Sequence, residues 1–176
     1  PSEGKPRDVA AAVINMLFPP GTPSQIPIAG ITGTNGKTTT SRMLSHILKT
    51  SGHIVGMTST DGVYIDGHLT VKGDMTGPVS AQMVLRDPSV DIAVMEVARG
   101  GMLRTGVGFR NCDVAACLNV SGDHLGLRGI ETVEQLARVK RILIEIATNT
   151  AVLNADDTLC LEMANHTKAE NICYIT

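Results

Sequence analysis

A glycine-rich segment at residues 30–38 carries the residue types that bind phosphate. It runs Gly-Ile-Thr-Gly-Thr-Asn-Gly-Lys-Thr, follows an apolar run and precedes a stretch with helical periodicity. Small residues let backbone N–H groups approach phosphate oxygens, Lys37 supplies a point charge, and the Thr38 hydroxyl can hold Mg²⁺. The positive N-terminal end of the following helix favours the same anion. We therefore predict a phosphate-binding loop.

The loop departs from the usual phosphate-loop pattern at one position. Ile31 occupies the place of the first glycine of that pattern, and the glycines fall instead at positions 30, 33 and 36. Only some nucleoside-triphosphate enzymes have this spacing. A glycine-rich turn that contains a lysine by chance is the alternative interpretation, but the strand–loop–helix setting favours phosphate binding.

A carboxylate interrupts the apolar run at residues 92–97. Glu96 stands near the end of that run, which has the composition of a buried strand. A carboxylate there can hold Mg²⁺ directly or through water. A glutamate that points into solvent is the alternative, but an unpaired carboxylate is costly to bury so deep in an apolar run. We therefore predict that Glu96 is a metal partner.

Two further residues are candidates for the same site. His124 lies in a loop after a predicted strand, and Lys140 lies on the apolar stripe of a predicted helix at 130–147. An ordinary surface histidine and a lysine whose ammonium reaches solvent are the alternatives. Because the helix follows a candidate metal loop, we predict that Lys140 is buried and points towards His124, with Glu96 or Asp123 within ionic reach.

Composition excludes several classes of protein. Hydrophobic residues make up 43% of the 176 residues and charged residues 18%, which is typical of a globular chain. Few aromatics and a net charge of -2 argue against nucleic-acid binding. No apolar run has the length of a membrane span and no secretory signal is present, so we expect a cytoplasmic protein with no membrane partner. The four cysteines form no CxxC pair and favour buried, reduced thiols over a zinc site.

Strand-like and helix-like segments alternate along the chain. This alternation predicts an α/β fold with a mostly parallel sheet, helices on both faces and a small β-hairpin insertion. Helices are predicted at 8–17, 38–51, 78–86, 130–147 and 157–165, strands at 26–32, 54–59, 91–97, 113–120, 151–154 and 172–176, and the hairpin at 63–71 with its turn at Asp66–Gly67. Such sheets bind ligands at the carboxyl ends of their strands. Thr32, Glu96 and Asn119 each end a strand and should therefore meet at one rim.

Together these motifs resemble the central ATPase domain of the Mur ligase superfamily. The resemblance rests on Thr32 to Thr38, Glu96, the run 119–125, Lys140 and the run 154–157. The segments 60–67, 73–78 and 98–104 are most similar to a branch that builds an amino-acid polymer, and they differ from the peptidoglycan ligases. The resemblance implies a linker and leading helix at 1–24 and a truncated ATP-binding central domain at 25–176.

The resemblance also implies a role for each matching residue. Thr38, Glu96 and His124 would hold Mg²⁺. Lys37, His124 and Lys140 would be catalytic, and many members of the superfamily carry the lysine as a carbamate. ATP would be bound by Gly33, Thr34, Asn35, Gly36, Lys37, Thr38, Thr39 and Asn154, the last of these at the adenine.

The implied reaction is ATP-dependent amide ligation. A carboxylate attacks the γ-phosphate to form an acyl phosphate, and an amine then displaces phosphate. In the polymer-building branch, arginine supplies the amine and an aspartate of an acidic polymer supplies its β-carboxyl. Arg99 and Arg104 would hold substrate carboxylates or else form a solvated basic loop. Another Mur-type ligase, of the peptidoglycan or folylpolyglutamate type, and a P-loop module without ligase activity are the alternatives.

Finally, the resemblance implies missing partner domains, namely a C-terminal domain that holds the amino acid and an ATP-grasp half. We expect this chain alone to be inactive in ligation, because the amine must be held roughly 3–3.5 Å from the acyl phosphate. The predicted partners are ATP, an amino acid and an acidic peptide or polymer. The sequence leaves the oligomeric state open, and a homo-oligomer is compatible with it.

Overall fold

The computed structural model describes residues 9–17, 19, 25–122, 125–126 and 129–176. The strands in these ranges are β1 (Ile28–Thr32), β2 (Val55–Ser59), β3 (Gly62–Ile65), β4 (His68–Lys72), β5 (Ile92–Glu96), β6 (Cys112–Cys117), β7 (Ala147–Asn154) and β8 (Asn171–Ile175). The helices are α1 (Val9–Leu17), α2 (Lys37–Thr50), α3 (Pro78–Leu85), α4 (Arg99–Thr105), α5 (Val133–Glu145) and α6 (Thr158–Glu162), which a short 3₁₀ helix (Met163–Asn165) follows.

All eight strands belong to one sheet, in the order β4-β3-β2-β5-β1-β6-β7-β8. From β2 to β8 along this order the pairs are parallel, whereas β3 and β4 extend the edge in antiparallel pairing. The predicted hairpin and its turn at Asp66–Gly67 are therefore confirmed. The hairpin continues the main sheet, because β3 pairs with β2 from Gly56↔Ile65 to Ser59↔Gly62.

Successive residues of the central strands face two different apolar cores. On one face, Leu44 and Leu48 of α2 pack over Ile31, Val94 and their neighbours. On the other face, α3, α4, α5 and α6 contribute to a larger core. The predicted α/β fold, with a mostly parallel sheet and helices on both faces, is confirmed. The carboxyl ends of β1, β2, β5 and β6 consequently meet at one edge of the sheet.

Local signals in the sequence set the ends of the two longest helices. α2 begins directly after Gly36 and ends before Gly52, both of which have positive φ. α5 begins with a capping box: the Thr132 side chain accepts the N–H of Gln135, while the Gln135 side chain accepts the N–H of Thr132. α5 is therefore shorter than the helix predicted at 130–147.

The main difference from the predicted elements is α4, which lies in a segment with no predicted helix. Two of its first three residues are Gly100 and Gly101, and glycine is a poor helix former. Tertiary packing outweighs this preference. Met102 is buried in the core, and the helix backbone at Gly101 approaches Thr76 so closely that a Cβ there would lie only 2.9 Å from the Thr76 carbonyl oxygen. The basic residues of this segment thus lie on a helix and not in a loop.

The helix at the start of the described chain, α1, has no buried residue. The predicted division of the chain at residue 24 falls outside the described residues and stays a prediction. Within the described ranges, no helix has the length and apolar character that crossing a membrane requires.

Candidate nucleotide and metal site

The phosphate loop lies between β1 and α2, at the carboxyl edge of the sheet. Gly36 has a left-handed φ of 85°, and a Cβ there would lie 3.3 Å from Leu118 Cδ1. The Lys37 Nζ donates to the Thr34 carbonyl oxygen at 2.8 Å, which holds the ammonium across the loop. The first N–H groups of α2 have no intrahelical acceptor and lie at its positive end. This loop can therefore bind an anion.

Asn119, just after β6, anchors the loop from the neighbouring strand. Its Oδ1 accepts the N–H groups of Thr34 at 3.0 Å and Asn35 at 2.8 Å, and its backbone oxygen accepts Thr34 N–H at 2.9 Å. Sequence reasoning placed Asn119 at a strand end but did not assign it this contact. Thr34 and Asn35 donate to Asn119, and the Thr40 N–H donates to the Gly36 carbonyl oxygen. The N–H groups of residues 36–39 therefore remain for phosphate.

Thr38 and Glu96 form the centre of the candidate metal site. Glu96 is only 1% exposed, and the Thr38 hydroxyl donates to its two carboxylate oxygens at 2.9 and 3.1 Å. Burial raises the pKa of Glu96, against hydrogen bonds from Thr38 and the Thr60 N–H that lower it. A buried carboxylate beside a hydroxyl is a hard oxygen donor set that fits Mg²⁺. The third predicted metal ligand, His124, lies outside the described residues.

Thr60 is a neighbour of this pair that sequence reasoning missed. Its N–H donates to Glu96 Oε2 at 3.3 Å, and its hydroxyl lies 3.2 Å from the Thr38 hydroxyl. Because the single Thr38 proton is directed at Glu96, Thr60 is the donor in the second contact. The polar run that follows β2 was the signal that could have identified it, since β2 ends at the same edge of the sheet.

Lys140 is buried, as predicted, with 3% of its surface exposed. Burial lowers the pKa of Lys140 to about 8, and the nearby Lys37 and Arg99 lower it further. Its predicted ion pair with Glu96 is not formed. The other proposed partner, Asp123, lies outside the described residues, so the orientation of Lys140 towards His124 stays a prediction.

Comparison with known proteins identifies the family. The Mur ligase middle domain family matches residues 31–176. The chain belongs to this family. Cyanophycin synthetase of Geminocystis herdmanii is 56% identical over 172 residues, which cover 97% of this chain and 20% of that protein. The chain thus spans about one fifth of the length of the cyanophycin synthetases that it matches.

Solved structures of related ligases share the fold of this Mur ligase middle domain. The structure of UDP-N-acetylmuramoyl-L-alanyl-D-glutamate–2,6-diaminopimelate ligase has a TM-score of 0.72 at 24% identity, and the match covers 94% of this chain and 34% of that one. The bifunctional folylpolyglutamate synthase/dihydrofolate synthase of Yersinia pestis, complexed with AMPPNP and a Mn ion, has a TM-score of 0.66 at 23% identity. That match covers 94% of this chain and 45% of the synthase. The predicted resemblance to the Mur ligase superfamily is confirmed.

In this Mur ligase middle domain, both polar atoms of the Asn154 side-chain amide form hydrogen bonds with the protein backbone. Its Nδ2 donates to the Leu118 carbonyl oxygen at 2.8 Å, and its Oδ1 accepts the Asp156 N–H at 2.9 Å. Nearby, Asp157 accepts the Val120 N–H at 2.6 Å and caps α6. The end of β7 therefore holds the backbone on both sides of Asn119. A contact between Asn154 and adenine stays a prediction.

The cysteines of the middle domain are free thiols. Cys112, Cys117 and Cys160 are buried and Cys173 is exposed. The sulfur atoms of Cys117 and Cys160 lie 3.4 Å apart in the core beneath α6. Burial raises the pKa of the Cys112 thiol to about 12, which keeps it protonated and chemically inert at neutral pH.

Proposed function

We propose that this chain is the ATP-binding middle domain of an ATP-dependent amino-acid ligase. The observation that carries the proposal is the convergence of Lys37 and Thr38, the first two residues of α2, with Glu96 at the end of β5. A cation at a phosphate loop next to a hydroxyl and a buried carboxylate is the arrangement that MgATP requires. The family match and the ligase names of the relatives support this reading.

Different residues of the site would bind the phosphates and the divalent cation. The N-terminal N–H groups of α2 and the Lys37 ammonium neutralise phosphate charge and orient the γ-phosphate. Thr38 and Glu96 would hold the divalent cation, which supplies further charge neutralisation when bound. The Yersinia pestis synthase structure contains AMPPNP and Mn, which supports a nucleotide and a divalent metal here. We propose Mg²⁺ as the physiological ion.

The substrates are proposed from the similarity to cyanophycin synthetase. Identity of 56% to a cyanophycin synthetase supports an acidic polymer as the carboxylate donor and arginine as the amine. Arg99 and Arg104 lie on α4, directly after Glu96, where they can reach a substrate carboxylate. Arg99 is half-buried and Arg104 is exposed. A peptidoglycan-type or folylpolyglutamate-type ligase is the second candidate, which the family match and the shared fold also allow.

Calorimetric titration of the chain with MgATP tests the nucleotide site. We expect Lys37→Ala to abolish measurable binding and leave the circular dichroism spectrum unchanged, because Lys37 is the first residue of α2, its side chain is only half-buried and alanine favours helix. Lys49→Ala is the matched control, since Lys49 lies on the same helix but pairs with Asp66 at a distance of 3.3 Å. Equal ATP affinity in the wild type and Lys37→Ala would overturn the proposal.

Ligation itself is tested in the full-length protein, with an aspartate-rich primer. We expect arginine to be joined to the primer, and Lys37→Ala to abolish that step. Glutamate or diaminopimelate as the preferred amine would instead favour the second candidate. The 176-residue chain alone should show no arginine-dependent release of ADP.

A further inference from the structure

The turn at Ser59–Asp61 links the candidate metal site to the antiparallel edge of the sheet. The Asp61 carboxylate accepts hydrogen bonds from three side chains: the Ser59 hydroxyl, the Arg42 guanidinium and, at 2.9 Å, the Tyr64 hydroxyl. These partners lie on β2, α2 and β3. Three separate elements therefore hold one carboxylate in place, although 43% of its side chain is exposed.

The same turn also organises its surroundings through the backbone. The Asp61 carbonyl oxygen accepts the Gly73 N–H at 3.1 Å, and the Ser59 carbonyl oxygen accepts the Met75 N–H at 3.0 Å. Thr60 stands between these two residues and contacts both Thr38 and Glu96. Any movement of the turn would consequently move the Thr60 N–H away from the Glu96 carboxylate.

We propose that Asp61 is a positioning residue for the metal site, acting through Thr60. By fixing the turn, Asp61 holds the Thr60 N–H on Glu96 and the Thr60 hydroxyl on Thr38. These contacts set the orientation of the two oxygen donors before a cation arrives. Outer partners of this kind tune metal affinity by orienting the groups that bind the ion. The inference rests on the proposed function, since it assumes that Thr38 and Glu96 hold a divalent cation.

A second ion pair between α2 and the antiparallel edge of the sheet provides a control. Lys49 of α2 pairs with Asp66 in the turn between β3 and β4, at the end of β3 away from Thr60. Both pairs tie α2 to a turn that adjoins β3, and both are exposed at the surface. Only the pair of Arg42 with Asp61 adjoins the metal site. Variants of the two ion pairs can therefore distinguish a role in positioning the metal from a role in holding α2 on the edge of the sheet.

The experiment measures Mn²⁺ affinity by electron paramagnetic resonance, on the 176-residue chain with AMPPNP. We expect Asp61→Ala to weaken Mn²⁺ binding roughly 10- to 100-fold. Asp61→Asn, which keeps acceptor oxygen but loses the charge, should restore part of the affinity. Lys49→Ala should match the wild type. AMPPNP affinity without metal should be the same in all variants, because Asp61 does not touch the phosphate loop.

Tyr64→Phe keeps the ring in the core and removes only the donor to Asp61, so it decides the question if Asp61→Ala does not fold. It should weaken Mn²⁺ binding by a smaller factor than Asp61→Ala. Unchanged Mn²⁺ affinity in Asp61→Ala, or in Tyr64→Phe if that is the variant that folds, overturns the inference. Equal weakening in Lys49→Ala also overturns it, because the effect would then be general loosening of the hairpin. Failure of the wild type to bind Mn²⁺ and AMPPNP would instead reject the proposed function.

Discussion

Asn119 and Asn35 form a reciprocal pair of hydrogen bonds between the end of β6 and the phosphate loop. The Asn35 N–H donates to Asn119 Oδ1 at 2.8 Å, and Asn119 Nδ2 donates to the Asn35 carbonyl oxygen at 3.2 Å. The two residues are 84 positions apart in the chain. A side chain on one strand thus holds the backbone of a loop that follows the neighbouring strand.

Asn119→Ala should therefore weaken ATP binding without unfolding the protein. The substitution removes hydrogen bonds that each contribute on the order of 1 kcal/mol, so we expect a loss of affinity of roughly tenfold or more. Calorimetric titration with MgATP measures it. Asn171→Ala is the control, because its side chain donates only a 3.4 Å bond to the Asn149 carbonyl oxygen on the exposed edge. ATP affinity that is unchanged in Asn119→Ala would show that the loop needs no such anchor.

Glu96→Gln should affect the free and the metal-bound protein in opposite directions. The carboxylate is buried beside one hydroxyl and one N–H, so its charge is costly when no cation is present. We expect the amide to raise the free energy of unfolding of the metal-free protein at neutral pH, by about 1 kcal/mol or more. The affinity for Mn²⁺ with AMPPNP should fall sharply. Denaturant unfolding in a chelator and metal titration measure the two effects, and a variant destabilised without metal would contradict the prediction.

Lys140→Met should reveal the cost of burying an ammonium. Lys140 faces Lys37, Arg99, Cys117 and Cys160, and its pKa in the folded protein is lowered to about 8. Below that pH the folded and unfolded chains both carry the proton, so the burial cost is complete. Between about pH 8 and the normal pKa of lysine, Lys140 keeps its proton only in the unfolded chain. The free energy of unfolding therefore rises with pH in this range.

The methionine variant should accordingly be more stable than the wild type at pH 7, by on the order of 1–3 kcal/mol, and this advantage should shrink as the pH rises towards 10. Denaturant unfolding across this range measures it, in buffers free of bicarbonate so that no carbamate forms. Lys49→Met, at an exposed position, should show no such trend. A constant difference between Lys140→Met and the wild type at all pH values would refute the lowered pKa.

Adjacent glycines in α4 should respond differently to the same substitution. A Cβ at Gly101 would lie 2.9 Å from the Thr76 carbonyl oxygen and 3.1 Å from Gly77 Cα, whereas a Cβ at Gly100 meets only the end of the flexible Arg104 side chain at 3.5 Å. We expect Gly101→Ala to destabilise the protein by about 1–3 kcal/mol. Gly100→Ala should be neutral or stabilising by up to about 1 kcal/mol, because alanine favours helix. Chemical denaturation of both variants checks this, and equal effects would mean that the helix is not packed on Thr76 as described.

The sequence by itself determined most of the elements and the position of the glycine-rich loop between β1 and α2. Apolar periodicity located β1, α2 and β5 to within a few residues, since burial of one helix face or of a whole strand leaves a local pattern. The turn at Asp66–Gly67 and the ends of α2 followed from glycine, whose backbone freedom is also a local property. Lys37, Thr38 and Glu96 were proposed as site residues because phosphate and magnesium favour those residue types in a strand–loop–helix segment and at a strand end.

Only the tertiary structure decided how these pieces meet. β5 lies between β2 and β1, which brings Glu96 against Thr38 across 58 positions of sequence and puts Thr60 beside both. The order of strands in a sheet depends on long-range packing, which the local hydrophobic periodicity of the sequence does not reveal. The helix α4 was missed for the same reason, because close approach to Thr76 outweighs the low helix preference of its glycines. The anchoring of the phosphate loop by Asn119 likewise exists only once β1 and β6 are paired, since the hydrogen bond joins the segments that follow these two strands.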